Sequence, residues 1–260
     1  MPNNSYEDFL YDEDQRLHSV YEVQKEYEQN NGDISKYRDK MLCPECKRAK
    51  LRFTHKTSER RAFLSTFPTS NHEKGCSYNY DLASNRAVKQ FVATLTDEQV
   101  HDRLEAMLNT LLPRYRRDNE NAVNAEQENP FVIDIGARNH QLNRRAISRK
   151  SMNRWFDKAD ENNIFLFYGK VRLSVEEAKT KKGKRYRLIV KTKRGVEWIQ
   201  KTRIFRGMAK DAIDENTTYD LAVMGHLEFY NILPQIVTES WTSILYREAR
   251  RKEETIKYIL

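Results

Sequence analysis

All three cysteines of the chain fall in one pattern that also contains a histidine. Cys43 and Cys46 flank a CPEC turn, His72 follows after 25 intervening residues, and three more residues separate it from Cys76. The first spacing lets two thiolates face the same ion, and the HEKGC segment can supply the other two ligands, with Gly75 easing the turn. Three thiolates and one imidazole are a normal ligand set for zinc, so the pattern predicts a zinc site.

Several alternatives for these residues stay open at the level of sequence. His55 lies nine residues past Cys46 in a predicted strand and could replace His72 as the fourth ligand. Three unrelated thiols are the simplest alternative. A thioredoxin-like redox pair lacks a βαβ context around CPEC, and an iron–sulfur cluster usually takes four cysteines. With four protein ligands no coordination position is open, so the predicted zinc stabilises a small fold and does not activate water.

The CPEC…H…C run resembles the zinc-binding element at the front of competence proteins of the CoiA type. It covers about residues 41–80, and the Phe-x-His step of that family is absent around His72. The resemblance implies a zinc ion and a DNA-related setting. That family also carries a nuclease fold, and the matching acid-x-Lys trace here is Glu177-Ala178-Lys179, with Asp134 as the nearest partner. Because a metal nuclease needs several converging carboxylates, a nuclease stays an alternative and we predict no catalytic residue.

The charge of the chain is unevenly distributed. The 260 residues carry a formal net charge of +8. Residues 1–40 hold ten acidic and five basic residues, whereas residues 164–206 hold fourteen basic and three acidic residues. This separation predicts a basic working surface for an anionic partner such as nucleic acid. It also predicts an acidic N-terminal arm that could dock on a protein partner, on a second copy, or on the chain itself.

Some classes of protein are disfavoured by composition. The acidic start of the chain lacks the apolar core of a signal peptide, and no apolar run approaches membrane length. Three cysteines cannot form a closed disulfide framework, so we expect a cytoplasmic protein of a reducing compartment, with no membrane partner. No segment matches a glycine-rich phosphate loop, so no nucleotide cofactor is expected.

The fold class predicted from hydrophobic periodicity is α+β, with a small zinc-binding module, helices, and a five-stranded β-barrel resembling an OB-fold. The predicted segments are an acidic helical arm (1–40), the zinc-binding module (41–80), a helical segment (81–117), a linker and basic connector (118–163), the OB-like barrel (164–246) and a C-terminal helix (247–260). Within the arm, residues 5–30 are expected to be helical. Within 81–117, Thr96 and Gln99 form a capping-box pattern that starts the second helix.

The barrel prediction depends on five runs with strand-like alternation. They span residues 164–175, 184–193, 196–205, 219–230 and 235–246, with a short helix expected at about 207–214. Three strands, a helix and two strands is the order of an OB-fold, although SH3-like barrels or a plain sheet have the same strand count. Gly169 falls within the first strand, where a small barrel must bend sharply.

Alternation divides these strands into a core face and an outer face. The core face receives Phe165, Phe167, Val171, Leu173, Tyr186, Leu188 and Val190, and Trp198 and Trp241 are also assigned to the core. The outer face and its loop give the predicted nucleic-acid-binding residues: Tyr168, Lys170, Arg172, Lys181, Lys182, Lys184, Arg185, Arg187, Lys191, Lys193, Lys201, Arg203 and Phe205. Cations can follow phosphates while rings stack on bases, although basic residues on a solvent-facing sheet are also common without any ligand.

The function predicted from these features is binding of nucleic acid without catalysis. Single-stranded DNA is favoured and RNA is possible. The alternatives are a non-catalytic scaffold or adaptor subunit of a larger DNA-processing or defence assembly, and a metal-dependent nuclease. Among the histidines, His226 and Glu228 are expected to form a surface pair, and His18 and His101 to be exposed.

Overall fold

The computed structural model describes residues 5–113, 129–138, 141–180, 183–231 and 233–249. The chain divides into two compact units. Unit 1 comprises Met1–Ala83 and Glu126–Ile147, and unit 2 comprises Ser84–Ala125 and Ser148–Leu260. The predicted zinc-binding module is therefore part of a larger unit that also contains the acidic arm. No helix in the described ranges is long and apolar enough to cross a membrane.

The described residues of unit 1 form short strands and one α-helix. Its elements are β1 (Asp8–Tyr11), β2 (Arg16–Ser19), α1 (Val20–Gln29), β3 (Met41–Leu42), β4 (Leu51–Thr54), β5 (Phe63–Thr66), a 3-10 helix (Ser77–Asn79), β6 (Val132–Arg138) and β7 (Gln141–Ala146). Strands β2, β1 and β3 form one sheet in that order, while β4–β5 and β6–β7 are antiparallel hairpins. The predicted strand around LRFT is confirmed as β4.

The prediction of a helix over residues 5–30 is wrong for its first half. All four residues of β1 are buried, and β1 pairs on one side with β2 and on the other with β3. A helix would bury only one face of this aromatic-rich run, whereas a central strand buries both. The helix starts only after Ser19, which accepts a hydrogen bond at the N-terminus while Glu22 completes a capping box.

The core of unit 1 joins the acidic arm to the cysteine-bearing segment. Buried side chains of the arm, including Tyr6, Phe9 and Val23, pack in one cluster with Cys43 and Cys76. The basic connector predicted over 118–163 is also structured where it is described, because β6 and β7 belong to unit 1. The 118–128 part of the predicted linker lies outside the described residues.

The described residues of unit 2 form two helices and a seven-stranded sheet. Its elements are α2 (Asn85–Val92), α3 (Asp97–Leu111), β8 (Arg149–Ser151), a 3-10 helix (Lys158–Asp160), β9 (Ile164–Thr180), β10 (Gly183–Arg194), β11 (Glu197–Gly207), β12 (Thr218–Tyr230), β13 (Leu233–Thr238) and β14 (Ile244–Glu248). The two predicted helices and the capping box at Thr96 are confirmed. The sheet order is β14-β12-β13-β11-β10-β9-β8, and β12 pairs in addition with β9. The β11–β13 pairing is parallel.

Four of the five predicted long strands are confirmed and the fifth is two strands. Residues 239–243 separate β13 from β14, so the run 235–246 is interrupted. The short helix predicted at about 207–214 is absent, and residues 208–217 form a loop. Arg206 holds this loop through two hydrogen bonds to Asp211. Of the helix predicted over 247–260, residues 247–248 belong to β14, and residues 250–260 lie outside the described residues.

The predicted core face of β9 and β10 is confirmed. Phe165, Phe167, Val171, Leu173, Leu188 and Val190 are all buried in one cluster, whereas Tyr186 is only half-buried. Gly169 in β9 is required by close packing, since a Cβ atom there would lie 2.9 Å from Cβ of Met152. Helix α2 contacts β9, and α3 contacts β12 and β14.

Candidate metal centre and basic sheet face

Cys43, Cys46, His72 and Cys76 come together as predicted. Their ligand atoms all lie within 4.8 Å of one another. Sγ of Cys43 is 4.0 Å from Sγ of Cys76, and Nδ1 of His72 is 3.4 Å from Sγ of Cys46 and 3.5 Å from Sγ of Cys76. Among the described residues, this is the one group of three or more such side chains close enough to share an ion.

Two turns place the four ligands. After β3, the N–H of Cys43 donates to the carbonyl of Ala49, and the N–H of Lys47 donates back to the carbonyl of Cys43. This closes the CPEC turn so that both thiols point the same way. In the second segment Gly75 has φ = +90°, a backbone conformation that side chains disfavour, and Cys76 follows it directly. Glycine at 75 thus lets the chain reverse between His72 and Cys76.

The spacing of these atoms fits zinc. Zn–S bonds of about 2.3 Å and Zn–N bonds of about 2.0 Å in a tetrahedron require S···S edges of about 3.8 Å and S···N edges of about 3.5 Å. The Cys43–Cys76 distance and the two His72–thiol distances lie close to these values. All four ligands come from the chain, and Cys43 and Cys76 are buried. A zinc ion held here would have no open position and would act by stabilising unit 1.

His72 is oriented by hydrogen bonds on the side away from the thiols. Its Nε2 lies 2.7 Å from the hydroxyl oxygen of Tyr6 and 3.0 Å from Oγ1 of Thr66. With Nδ1 bound to zinc, Nε2 would carry the proton and donate to these oxygens. The alternative ligand His55 instead stacks on Tyr27, with ring centroids 4.8 Å apart, so it is not part of the cluster.

The thiols of the cluster have opposite pKa shifts. Burial raises the pKa of Cys43 to about 12. Hydrogen bonds from Cys43 and Cys76 lower the pKa of Cys46, because they stabilise its thiolate. Hydrogen bonds with Cys43 and Cys46, followed by burial, raise the pKa of Cys76. Metal binding must therefore displace protons from Cys43 and Cys76, which makes the affinity for zinc dependent on pH.

Several residues predicted to contact nucleic acid are engaged within unit 2. Tyr168 is buried, where β8 pairs alongside β9. Lys170 forms an ion pair of 2.7 Å with the buried carboxylate of Asp220. The amino group of Lys201 donates to the carbonyl of Arg154 and lies over the ring of Phe156. The burial of Tyr168 is a correction to the predicted set, whereas ligand contact by the exposed Lys170 and the half-buried Lys201 stays a prediction.

The hairpin tip of the predicted set is only partly described. Lys181 and Lys182 lie outside the described residues. Lys184 forms an ion pair with Glu177, and Arg185 donates to the backbone carbonyl of Lys184.

The remaining predicted residues share one outer surface, which we call the basic face. It consists of Arg172 on β9, Arg187, Lys191 and Lys193 on β10, and Arg203 and Phe205 on β11, together with Trp198. Strand register brings these residues together, since Lys191 pairs with Arg172 and Arg187 pairs with Phe205. Arg187 lies 3.6 Å from Glu176. The other four cations make no ion pair within the described residues.

Trp198 belongs to the basic face and was wrongly assigned to the core. Val190 pairs with Thr202 but Lys191 pairs with Gln200, so Lys201 is an extra residue that shifts the alternation of β11. Before this bulge, Trp198 pairs with Lys193 and shares its outer face. The guanidinium of Arg172 lies over the indole ring, 5.0 Å from its centroid. The bulge could not be seen in the sequence.

Trp241 was also wrongly assigned to the core. Strand β13 ends at Thr238, so the alternation that connected Val237 to Trp241 is interrupted. Trp241 lies in the loop before β14 and is 61% exposed.

The histidines and carboxylates that were considered for catalysis form ion pairs or are exposed. His226 lies 3.6 Å from Glu228, as predicted, but its closer partner is Glu239 at 2.8 Å. His101 is exposed as predicted, whereas His18 is half-buried between Asp14 and Glu22. Of the two carboxylates considered for a nuclease, Glu177 belongs to unit 2 and Asp134 to unit 1. Glu177 forms an ion pair with Lys184, and Asp134 forms one with Arg144.

In comparisons with protein-family models, with curated proteins and with solved structures, nothing matches this chain. The site is therefore interpreted from its own geometry.

Proposed function

We propose that this protein binds nucleic acid on the basic face of unit 2, with single-stranded DNA as the favoured ligand. The observation that carries the proposal is the set of cations on one sheet surface that lack carboxylate partners in the described chain. Lys193 is exposed, and Arg172, Lys191 and Arg203 are half-buried. Cations without carboxylate partners beside an exposed ring suit a ligand with phosphates and bases.

The strand pairings support an OB-fold barrel as the scaffold for this face. The pairings run β9–β10–β11–β13–β12 and return to β9, with β11 and β13 parallel. We propose that this closed ring of five strands is an OB-like barrel, extended by β8 and β14. OB-folds bind oligonucleotides on the face of their second and third strands, which here are β10 and β11. These two strands carry most of the basic face.

A single strand is favoured over a duplex because rings accompany the cations. Phe205 is 46% exposed and lies opposite Arg187 on the basic face. Trp198 lies on the same face under Arg172. A ring can stack on a base only when that base is unpaired, whereas cations alone would bind either form. The resemblance of the zinc-binding segment to CoiA-type proteins fits a DNA-related setting, and the proposed role of zinc is to stabilise unit 1.

The test is direct binding to labelled single-stranded DNA, single-stranded RNA and duplex DNA, followed by fluorescence anisotropy. The face variant is the triple substitution Lys191→Gln, Lys193→Gln and Arg203→Gln. The matched control removes three exposed cations elsewhere in unit 2, through Arg86→Gln, Lys89→Gln and Lys158→Gln. Both variants lose three positive charges, so any general effect of net charge on binding is the same in both.

We expect the face variant to weaken binding of single-stranded DNA by at least about tenfold, and the control to change it by less than about threefold. Equal losses in the two variants would contradict the basic face as the binding surface. Absence of binding at low salt by the wild-type protein would contradict the function itself and favour a scaffold role. Cleavage of the oligonucleotide that needs a divalent ion would favour the nuclease alternative.

A further inference from the structure

The indole of Trp241 packs against a glycine. Its six-membered ring packs against Gly207, the last residue of β11. A Cβ atom at position 207 would lie 2.7 Å from Cη2 and 3.2 Å from Cζ2 of the ring, which is closer than such atoms approach in proteins. Any side chain at 207 would therefore displace the ring. The indole therefore lies directly against Gly207 although 61% of the residue stays exposed.

The loop that carries Trp241 is held by a network of hydroxyl groups. Oγ of Ser240 lies 2.9 Å from both Oγ1 of Thr242 and Oγ of Ser243. The hydroxyl of Thr242 donates to the carboxylate of Asp97, the first residue of α3, over 2.8 Å. These contacts lie on either side of Trp241 in sequence. The loop is therefore anchored to the body of unit 2 while its largest side chain points into solvent.

A guanidinium supports the ring from a second direction. The guanidinium carbon of Arg206 lies 6.0 Å from the centroid of the indole. Arg206 is itself fixed by two hydrogen bonds to Asp211, of 2.9 and 3.2 Å. Tyr246 donates a third hydrogen bond, of 3.1 Å, to the same carboxylate. The indole thus lies near a cation that is itself held by an ion pair.

Other exposed apolar side chains occur near Gly207 in the sequence. Phe205 and Met208, both within two residues of Gly207, are 46% and 74% exposed. Strand β11 also carries Arg203 of the basic face. A ring that already packs against its own chain loses little conformational entropy when another ring stacks on it.

We propose that Trp241 is a stacking platform for an unpaired base of the bound strand, in addition to the contacts of the basic face. This inference rests on the proposed function. It identifies the ligand class more narrowly, because a platform of this kind binds bases and is indifferent to phosphates. Stacking of one base on an aromatic side chain strengthens binding by roughly 5- to 150-fold.

The test separates bases from phosphates with two labelled strands of equal length, about 15 nucleotides each. One is oligo(dT) and the other is an abasic deoxyribose-phosphate strand. Binding of each is measured by fluorescence anisotropy at one low salt concentration, with the full zinc-loaded chain. The variants are Trp241→Ala and Trp241→Phe, and the matched control is Trp155→Ala, because Trp155 is a similarly exposed indole at 54%. Thermal unfolding is recorded for each variant.

We expect Trp241→Ala to weaken oligo(dT) binding by at least about fivefold and to leave abasic binding within about twofold. Trp241→Phe should keep most of the wild-type affinity for oligo(dT). Trp155→Ala should change the affinity for neither oligo(dT) nor the abasic strand. Equal losses for both strands, no loss for oligo(dT), or the same loss in Trp155→Ala would overturn the inference while leaving the basic face intact. If the wild-type protein bound neither strand, the proposed function itself would have failed.

Discussion

The hydroxyl oxygen of Tyr6 lies 2.7 Å from Nε2 of His72, the histidine of the candidate metal centre. Tyr6 comes from the acidic N-terminal arm, and its backbone pairs with Leu64 while its ring stacks on Tyr78. The arm therefore supplies a hydrogen bond that orients a ligand, so metal binding and folding of the arm are linked in unit 1.

Removing this hydrogen bond should weaken zinc binding without removing a ligand. We expect Tyr6→Phe to lower the affinity for zinc by about 10-fold, because His72 loses its main orienting partner. Competition against a chromophoric chelator measures the change. Tyr11→Phe is the matched control, since Tyr11 is also buried in unit 1 but bonds to Glu13 and to the carbonyl of Lys36. An equal fall in zinc affinity in both variants would show that the effect is one of general stability.

Substitution of the two candidate histidines should have different effects on the zinc content of the protein. His72→Ala is expected to lose tight, stoichiometric zinc, whereas His55→Ala should retain one zinc per chain because His55 only stacks on Tyr27. Chelation of the wild-type protein should lower the melting temperature of unit 1 by at least about 10 °C and leave that of unit 2 unchanged. Elemental analysis and calorimetry are the measurements. Full zinc content in His72→Ala would refute this ligand set.

Lys170 should matter for stability more than for binding. Its amino group pairs with Asp220, whose side chain is almost fully buried and has a second, weaker partner in Arg247 at 3.8 Å. We expect Lys170→Ala to lower the free energy of unfolding by about 1–3 kcal/mol, because a buried carboxylate loses its closest cation. Lys191→Ala should change it by less than about 0.5 kcal/mol. Chemical denaturation checks both values, and similar small effects would contradict the role of the pair.

His226 should contribute stability that depends on pH. Its hydrogen bond to Glu239 raises the pKa of His226 above its usual value of 6.5, with a smaller contribution from Glu228. A raised pKa in the folded state means that protonation stabilises the fold. The stabilisation is complete below about pH 6.5 and is lost as pH rises through the folded-state pKa.

The comparison of wild type with His226→Gln isolates this contribution. The difference in melting temperature should be largest near pH 5.5 to 6 and should shrink toward about pH 8.5. A difference that is constant with pH, or that grows as pH rises, would contradict the assigned sign.

The metal centre was predictable from sequence because its signal is local. The spacing of Cys43 and Cys46 and the use of every cysteine in one pattern indicate the ligands without any knowledge of the fold. The choice of His72 over His55 became certain only from the hydrogen bonds and ring contacts in the folded chain. The hydrogen bond from Tyr6 could not be predicted, since 66 residues separate it from His72.

The faces of the sheet were predictable only where strands are regular. Alternation correctly placed Phe167 and Leu188 in the core, but the bulge at Lys201 reversed the phase of β11 and moved Trp198 to the outside. Tyr168 was misplaced for a different reason, because strand alternation does not reveal which neighbouring elements cover an outer face. The prediction of a helix at the start of the arm was wrong because a central buried strand and a helix both contain closely spaced apolar residues.

The central claim is that phosphates bind to the basic face, and the salt dependence of binding tests it most directly. The dissociation constant for single-stranded DNA is measured between about 50 and 200 mM salt for the wild type, the triple face variant and the triple control. Each phosphate contact contributes about 0.7 to the logarithmic slope, so the face variant should lose about 2 units of slope while the control keeps the wild-type value. Binding that is insensitive to salt, or a slope unchanged in the face variant, would contradict the account.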